Sequence, residues 1–198
     1  MRVFGIDPGS VRTGYGCIET DGRRHSLIAC GAIIPEVGVA LANRLEDIHA
    51  KLAALIARHR PDCVAIENLF HAKNVKSALV LGHARGVAVL AAVQAGVPIS
   101  EYTPTSVKLS VVGHGRADKH QMQHMVKLLL GLAAIPTPHD AADALAIAIC
   151  HVHSTGTAVP VATARVPRHL KSWRHAKLDD FAQPARLGVA RRGRRQVP

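Results

Sequence analysis

Four acidic residues stand where an isolated negative charge is costly. Asp7 and Glu67 each end a short apolar run, and Asp143 lies within the apolar stretch 141–147. Asp140 comes three residues before Asp143, a spacing that places both side chains on one face of a helix. A carboxylate in such surroundings must be paired, protonated or bound to a metal ion. No Lys or Arg is near Asp143 in the sequence, so metal binding is the simplest interpretation.

A ligand set made only of carboxylates selects hard cations. Oxygen ligands of this kind favour Mg²⁺ or Mn²⁺ over zinc. Four negative charges could hold two such ions about 3.5–4 Å apart, the arrangement used for in-line hydrolysis of phosphodiesters. The sequence therefore predicts a hydrolase with a two-metal centre.

Each carboxylate also has a purely structural interpretation. Asp7 could start a turn with the Pro-Gly pair that follows it. Asp140 could complete a capping box opened by Thr137, and Glu67 could pair with a basic surface residue. The structural interpretation is weakest for Asp143, because its sequence neighbours offer no partner.

The elements that must position these side chains form an α/β set. Three β-rich segments come first, then helix, strand, helix and strand, and finally helices. This order predicts a five-stranded mixed sheet, a three-strand antiparallel meander plus two parallel strands, with helices on both faces. The predicted strands are 1–6, 13–20, 26–34, 62–66 and 97–102, and the predicted helices are 39–59, 73–94, 105–111, 118–130 and 138–153.

Composition and charge indicate one domain with a basic extension. Hydrophobic residues make up 48% of the 198 residues and aromatic residues 3%, so Ala, Val, Leu and Ile must build the core. Residues 1–158 carry 15 Lys and Arg against 12 Asp and Glu, whereas residues 159–198 carry 10 against 2. The basic surplus predicts a polyanionic partner. We expect a domain over 1–153 and a basic, flexible tail over 154–198.

The sequence also predicts a cytoplasmic protein without a membrane partner. Its four cysteines are far apart with no CxxC pair, which is typical of reduced core thiols. The longest apolar stretch, 86–99, is too short for a membrane span, and no signal-peptide core precedes Asp7. His120 with His124, and the segment 150–153, are weak zinc candidates because the chain has no HExxH motif.

Four segments together resemble the RuvC family of Holliday-junction resolvases. They read GIDPG with TGYG between residues 5 and 16, AIENLF at 65–70, GHGRADK at 113–119 and DAADALA at 140–146. They keep the family's order and spacing and cover about residues 1–153. The resemblance implies a ribonuclease-H-like fold and a homodimer. It also implies a Mg²⁺-dependent endonuclease that resolves four-way DNA junctions by paired symmetric incisions, leaving 5′-phosphate and 3′-hydroxyl ends, in recombination and repair.

The resemblance also implies roles for individual residues. The family's metal ligands, for two Mg²⁺ or alternatively Mn²⁺, fall on Asp7, Glu67, Asp140 and Asp143. The residues expected at the DNA are Lys108, Lys119, Arg116 and the base-stacking aromatic Phe70. His139, which directly precedes Asp140, is expected to orient a metal ligand without binding the metal itself. A branch-migration motor of the RuvA and RuvB type is a candidate partner.

The start of the fourth predicted helix supports the role implied for Lys119. Asp118 is a predicted N-cap, and Gln121 stands at the capping-box position. The helix start would then present a cation and free N–H groups to a phosphate. The alternative for Lys108 and Lys119 alike is a solvated surface lysine.

Three other functions remain open at this point. An ATP-binding protein of the actin and hexokinase type also carries an Asp-x-Gly loop, but that architecture needs two such domains and well over about 300 residues. A non-catalytic junction-binding protein would use the basic tail and bind without cutting. A resolvase-like nuclease acting on RNA would differ only in its substrate.

Overall fold

The computed structural model describes residues 1–68 and 74–155. Within these residues every predicted element is present, with ends that differ from the prediction by at most two residues. The strands are β1 (Arg2–Asp7), β2 (Thr13–Thr20), β3 (His25–Ile33), β4 (Cys63–Glu67) and β5 (Ile99–Tyr102). The helices are α1 (Leu41–His59), α2 (Val75–Gln94), α3 (Pro104–Val112), α4 (Lys119–Leu129) and α5 (His139–Thr155). The predicted tail lies outside the described residues from residue 156 onward.

The sheet is mixed and has the order β3-β2-β1-β4-β5. β1, β2 and β3 pair antiparallel, whereas β4 pairs parallel with β1 and with β5. This topology confirms the predicted meander with two added parallel strands. The central strands β1 and β4 are the most apolar because both of their faces are buried.

Two hydrophobic cores lie on opposite faces of the sheet. One joins the sheet to α3, α4 and α5, and its largest contribution comes from α5, which is buried on nearly every side. The other joins the sheet to α1 and α2 around Phe4, Ile48 and Ile66. The fold is thus the predicted three-layer α/β arrangement.

Close contact between α5 and the sheet depends on glycine. A Cβ atom at Gly5 of β1 would collide with the carbonyl oxygen of Ala144, and one at Gly14 of β2 would collide with that of Asp140. Gly14 is also the β2 residue that pairs with Asp7. The missing side chains therefore bring the first turns of α5 directly against the end of β1.

The helix α2 is more apolar over its whole length than the sequence analysis recognised. Among the described residues it is the one helix long and apolar enough to cross a membrane. Four of its alanines are buried, and Arg85 forms an ion pair with Glu101 of β5 (2.5 Å). Its opposite side exposes large apolar side chains, including Val75 (78%) and Leu79 (62%). The apolar stretch 86–99 is shorter than this helix, which meets the criterion by its length and average composition alone.

Candidate active site

Three of the four predicted carboxylates line one pocket. Asp7 and Glu67 end the neighbouring strands β1 and β4, and Asp143 projects from the second turn of α5. The pocket has a volume of about 240 Å³. Because the carboxyl ends of parallel strands meet at one edge of a sheet, residues distant in sequence come together there. Lys108 and Lys119 contribute the basic part of the lining.

Asp140 lies one helical turn before Asp143 and is not among the residues that line the pocket. Its negative charge nevertheless raises the pKa of Asp7, so the carboxylates are electrostatically connected. One oxygen of Asp140 is 3.9 Å from a guanidinium nitrogen of Arg12, which follows the turn after β1.

Burial and mutual repulsion make the two strand-end carboxylates difficult to ionise. The pKa of Asp7 is raised to about 8, first by burial and then by the charges of Glu67, Asp143 and Asp140, while Lys119 lowers it. The pKa of Glu67 is raised to about 6 by burial and by the charge of Asp143, with Lys108 opposing the shift. A bound cation would relieve both penalties.

Asp143 has a partner that its sequence neighbours did not reveal. The ammonium nitrogen of Lys119 is 3.2 Å from an oxygen of Asp143, and the two side chains are 57% and 33% exposed. Lys119 is the first residue of α4, which packs against α5. The argument that Asp143 has nothing to pair with was therefore wrong, because it considered only neighbours along the chain.

The carboxylates do not form a finished metal site. Within residues 1–68 and 74–155, no three Asp, Glu, His or Cys side chains are grouped closely enough to hold a metal ion. Instead, Lys119 and Arg12 contact Asp143 and Asp140. The carboxylate oxygens are hard ligands that repel one another. Divalent ions such as Mg²⁺ prefer such oxygen ligands and neutralise their charge. The residues therefore fit a hard divalent cation once these two ion pairs open.

The basic residues predicted at the DNA lie on and beside this pocket. Lys108 on α3 lines it and lowers the pKa of Glu67. Arg116 is exposed in the connection between α3 and α4, outside the pocket lining. Phe70 lies in the segment 69–73, outside the described residues.

The start of α4 has the predicted capping box. The Asp118 carboxylate accepts a hydrogen bond from the Gln121 backbone N–H (2.9 Å), and the Gln121 side chain accepts one from the Asp118 N–H (3.0 Å). This cap fixes the first turn of the helix at the pocket, with Lys119 as its first residue. A cation and a helix N-terminus thus lie next to Asp143.

His139 makes its contact with a neighbouring helix. Its Nδ1 atom is 2.5 Å from Nε2 of Gln123, a buried residue of α4. This hydrogen bond links α4 to the first residue of α5, directly before Asp140.

Sequence reasoning missed the residues that hold the turn after Asp7. The buried Thr13 hydroxyl donates to the Gly9 carbonyl oxygen (2.7 Å), and the Arg44 side chain donates to the Ser10 carbonyl oxygen (3.3 Å). Thr13 belongs to the TGYG segment, and a threonine that follows a turn could have indicated a side chain that bonds the turn's backbone. Arg44 comes from α1, and nothing local in the sequence indicates its partner.

Taken together, the fold and the site define a class of protein. A mixed sheet of this order, with acidic residues at the ends of its two central strands and on the helix across it, is the arrangement of a ribonuclease-H-like nuclease. Basic residues around the acidic pocket are suited to a phosphodiester substrate.

Comparisons with known proteins identify the family within this class. The family profile of crossover junction endodeoxyribonuclease RuvC matches residues 3–151. The chain is 51% identical over 153 residues to crossover junction endodeoxyribonuclease RuvC of Pelotomaculum thermopropionicum, covering 77% of this chain and 93% of the relative. The chain therefore belongs to the RuvC family, and membership of this nuclease family implies use of a divalent metal ion.

Solved structures agree with this membership. The structure of Thermus thermophilus RuvC matches with a TM-score of 0.74 and 36% identity, over 81% of this chain and all (100%) of that one. The structure of T. thermophilus RuvC in complex with a Holliday junction substrate matches with a TM-score of 0.73 and 32% identity, over 79% and 96% of the two chains.

Proposed function

We propose that this protein is a structure-selective endonuclease that resolves four-way DNA junctions by paired symmetric incisions in recombination and repair. The observation that carries the proposal is the convergence of Asp7, Glu67 and Asp143 on one pocket lined by Lys108 and Lys119. Membership of the RuvC family and the likeness to a relative bound to a Holliday junction substrate support it.

Asp7, Glu67, Asp140 and Asp143 would hold two Mg²⁺ ions, and the same oxygen ligands also suit Mn²⁺. The chemistry that such ions supply when bound is activation of a water molecule and stabilisation of the leaving 3′ oxygen, which gives 5′-phosphate and 3′-hydroxyl ends. The raised pKa values of Asp7 and Glu67 support this assignment, because burial and the neighbouring carboxylates make their ionised forms costly, and a bound cation would offset that cost.

The basic residues would bind and orient the DNA backbone. Lys119 and the N–H groups at the start of α4 together form a site for a phosphate. For this contact the ion pair between Lys119 and Asp143 must open, so Lys119 would exchange a carboxylate for a phosphate as the substrate enters. Lys108, on the Glu67 side of the pocket, would hold a neighbouring phosphate.

The remaining predicted residues would act at the edges of the site. Arg116 is exposed between α3 and α4 and could reach an adjacent phosphate. Phe70 would stack on an unpaired base. His139 would act indirectly, because its hydrogen bond to Gln123 holds the start of α5 on which Asp140 stands.

The dimer expected for two symmetric incisions would form through α2. A two-fold dimer presents the same surface from each copy, and a four-way junction has approximate two-fold symmetry. The side of α2 away from the core exposes large apolar residues such as Val75, Leu79 and Val93. Sedimentation of the wild-type chain should give the dimer mass, and Leu79→Glu should give the monomer mass.

Four further predictions concern a partner, the domain boundary, the tail and the location of the protein. A branch-migration motor of the RuvA and RuvB type is a candidate partner. The domain boundary at residue 153 and a DNA-binding role for the basic tail stay predictions, as does a cytoplasmic location.

A synthetic four-way junction incubated with and without Mg²⁺ tests the proposal. We expect metal-dependent pairs of nicks at symmetric positions, which DNA ligase can reseal. Binding without cutting in the presence of metal would favour the non-catalytic alternative. ATP hydrolysis in the absence of DNA would favour the actin-type and hexokinase-type alternative.

A further inference from the structure

Asp7 and Glu67 each pair with one neighbouring strand, but the two strands differ: Asp7 pairs with Gly14 of the inner strand β2, and Glu67 pairs with Tyr102 of the edge strand β5. The pairing of β4 with β1 ends at Ile66, opposite Ile6, so Glu67 pairs only with Tyr102 of β5. The next backbone bond, from the Asn68 N–H to the Tyr102 carbonyl oxygen (2.7 Å), goes to the same residue. β5 is a four-residue strand at the edge of the sheet. The position of Glu67 therefore depends on what fixes Tyr102.

The side chain of Tyr102 is attached to α5. Its hydroxyl oxygen is 2.9 Å from Nδ1 of His151, and the two rings meet edge to face with centroids 5.9 Å apart. His151 is only 5% exposed, and burial lowers its pKa, which favours the neutral form of the ring. Burial raises the pKa of the Tyr102 hydroxyl, and the neighbouring side chains of Ser100 and Ser154 oppose this shift.

This attachment connects the two parts of the acidic pocket. His151 follows Asp143 by eight residues on α5, which is about 12 Å along the helix axis. Tyr102 also precedes Thr103, whose hydroxyl caps α3 and thereby places Lys108. One tyrosine thus joins the strand end carrying Glu67, the helix carrying Lys108 and the helix carrying Asp143.

We propose that Tyr102 is a positioning residue, whose hydrogen bond to His151 attaches the strand end that carries Glu67 to the helix that carries Asp143, so that both carboxylates can bind the same divalent ions. This inference rests on the proposed function. It predicts that loss of the Tyr102 hydroxyl weakens metal binding more than DNA binding, because the Thr103 side chain still caps α3 and keeps Lys108 in place. The hydroxyl touches no ligand oxygen, so the loss should be smaller than the roughly 10–100-fold that follows removal of a group bonded directly to a ligand.

The test compares Mn²⁺ binding by the full-length wild type and its variants, without DNA, from the paramagnetic resonance signal of the free ion. Tyr102→Phe should weaken Mn²⁺ binding by about fivefold, and junction affinity in EDTA should stay within about twofold of wild type. His151→Leu should weaken Mn²⁺ binding less than Tyr102→Phe does, because Ser154 remains near the Tyr102 hydroxyl. His151→Asn keeps a polar atom near the position of Nδ1 and should restore Mn²⁺ binding. Thr20→Val is the matched control, since its buried hydroxyl bonds His25 at the far end of β2 (2.8 Å).

The outcomes separate this inference from the proposed function. Mn²⁺ affinity of Tyr102→Phe within about twofold of wild type, or an equal loss in Thr20→Val, would overturn the role of Tyr102 alone. A wild-type chain that binds Mn²⁺ but cuts no junction would overturn the nuclease, and one that binds no Mn²⁺ would overturn both. If Tyr102→Phe does not fold, His151→Leu against His151→Asn makes the same comparison.

Discussion

The two halves of the acidic pocket are built differently. On one side, Asp7 pairs with Gly14 of the inner strand β2, and α5 lies directly on Gly5 and Gly14. On the other side, Glu67 follows the last residue of β4 that pairs with β1, next to a short edge strand. Asp7 and the start of α5 thus lie in closely packed backbone, whereas Glu67 lies beside an edge strand whose Tyr102 hydroxyl bonds His151 of α5. The half of the pocket that contains Asp7 and the start of α5 should therefore tolerate fewer substitutions than the half that contains Glu67.

The largest effect should come from filling the space between α5 and β1. Gly5→Ala places a Cβ against the Ala144 carbonyl oxygen, which cannot move without shifting the helix. We expect the free energy of unfolding to fall by about 3 kcal/mol or more, measured by urea denaturation. Gly82→Ala is the matched control, because a Cβ there meets no atom within 4 Å and alanine favours the helix. Equal stability of the two variants would mean that α5 is not held by this contact.

Removing one ligand should abolish cutting while the fold survives. Asp143→Asn should lower the rate of junction cleavage by at least about a hundredfold, because charge stabilisation worth several kcal/mol is removed. Junction binding should be kept or tightened, since a negative charge is removed from the DNA surface. Asp47→Asn, whose carboxylate pairs with Lys51 on α1, is the control and should cut normally. Activity of Asp143→Asn within about threefold of wild type would refute its assignment as a ligand.

The strand-end carboxylates should weaken the metal-free protein as the pH rises. The folded-state pKa of Asp7 is about 8 against a usual 3.8, so ionising it costs stability that is lost progressively between about pH 4 and pH 8. Asp7→Asn should therefore raise the free energy of unfolding by about 2 kcal/mol at pH 8 in EDTA and change it little at pH 4. Glu67→Gln should gain less, because its pKa is raised only to about 6. Chemical denaturation at the two pH values makes the comparison, and an equal gain for both variants would contradict it.

The smallest effect should come from deleting the basic tail. Deleting residues 160–198 should weaken junction binding and reduce its salt dependence, by about 0.9 in the logarithmic slope for each phosphate that the tail neutralises. The cleaved positions should be unchanged, because the pocket residues remain. Binding measured at several salt concentrations checks this, and an unaltered slope would mean that the tail does not bind DNA.

Short-range patterns in the sequence predicted most of the fold and pointed to three acidic residues that line the pocket, Asp7, Glu67 and Asp143. Apolar runs located β1 and β4, helical spacing put Asp140 and Asp143 on one face, and the capping box at Asp118 was visible as a local motif. What could not be predicted were contacts between distant elements. The ion pair between Lys119 and Asp143 depends on how α4 packs against α5, and the bond between Tyr102 and His151 depends on strand order. Such contacts follow from the assembled fold and leave no local pattern.

Crystals soaked in Mn²⁺ test the assignment of the carboxylates most directly, because anomalous scattering locates the ion itself. We predict anomalous peaks within about 2.5 Å of carboxylate oxygens of Asp7, of Glu67 and of the two α5 residues Asp140 and Asp143. The Lys119 ammonium should then be displaced from Asp143. Peaks elsewhere on the protein, or an intact Lys119–Asp143 ion pair at saturating Mn²⁺, would contradict the account.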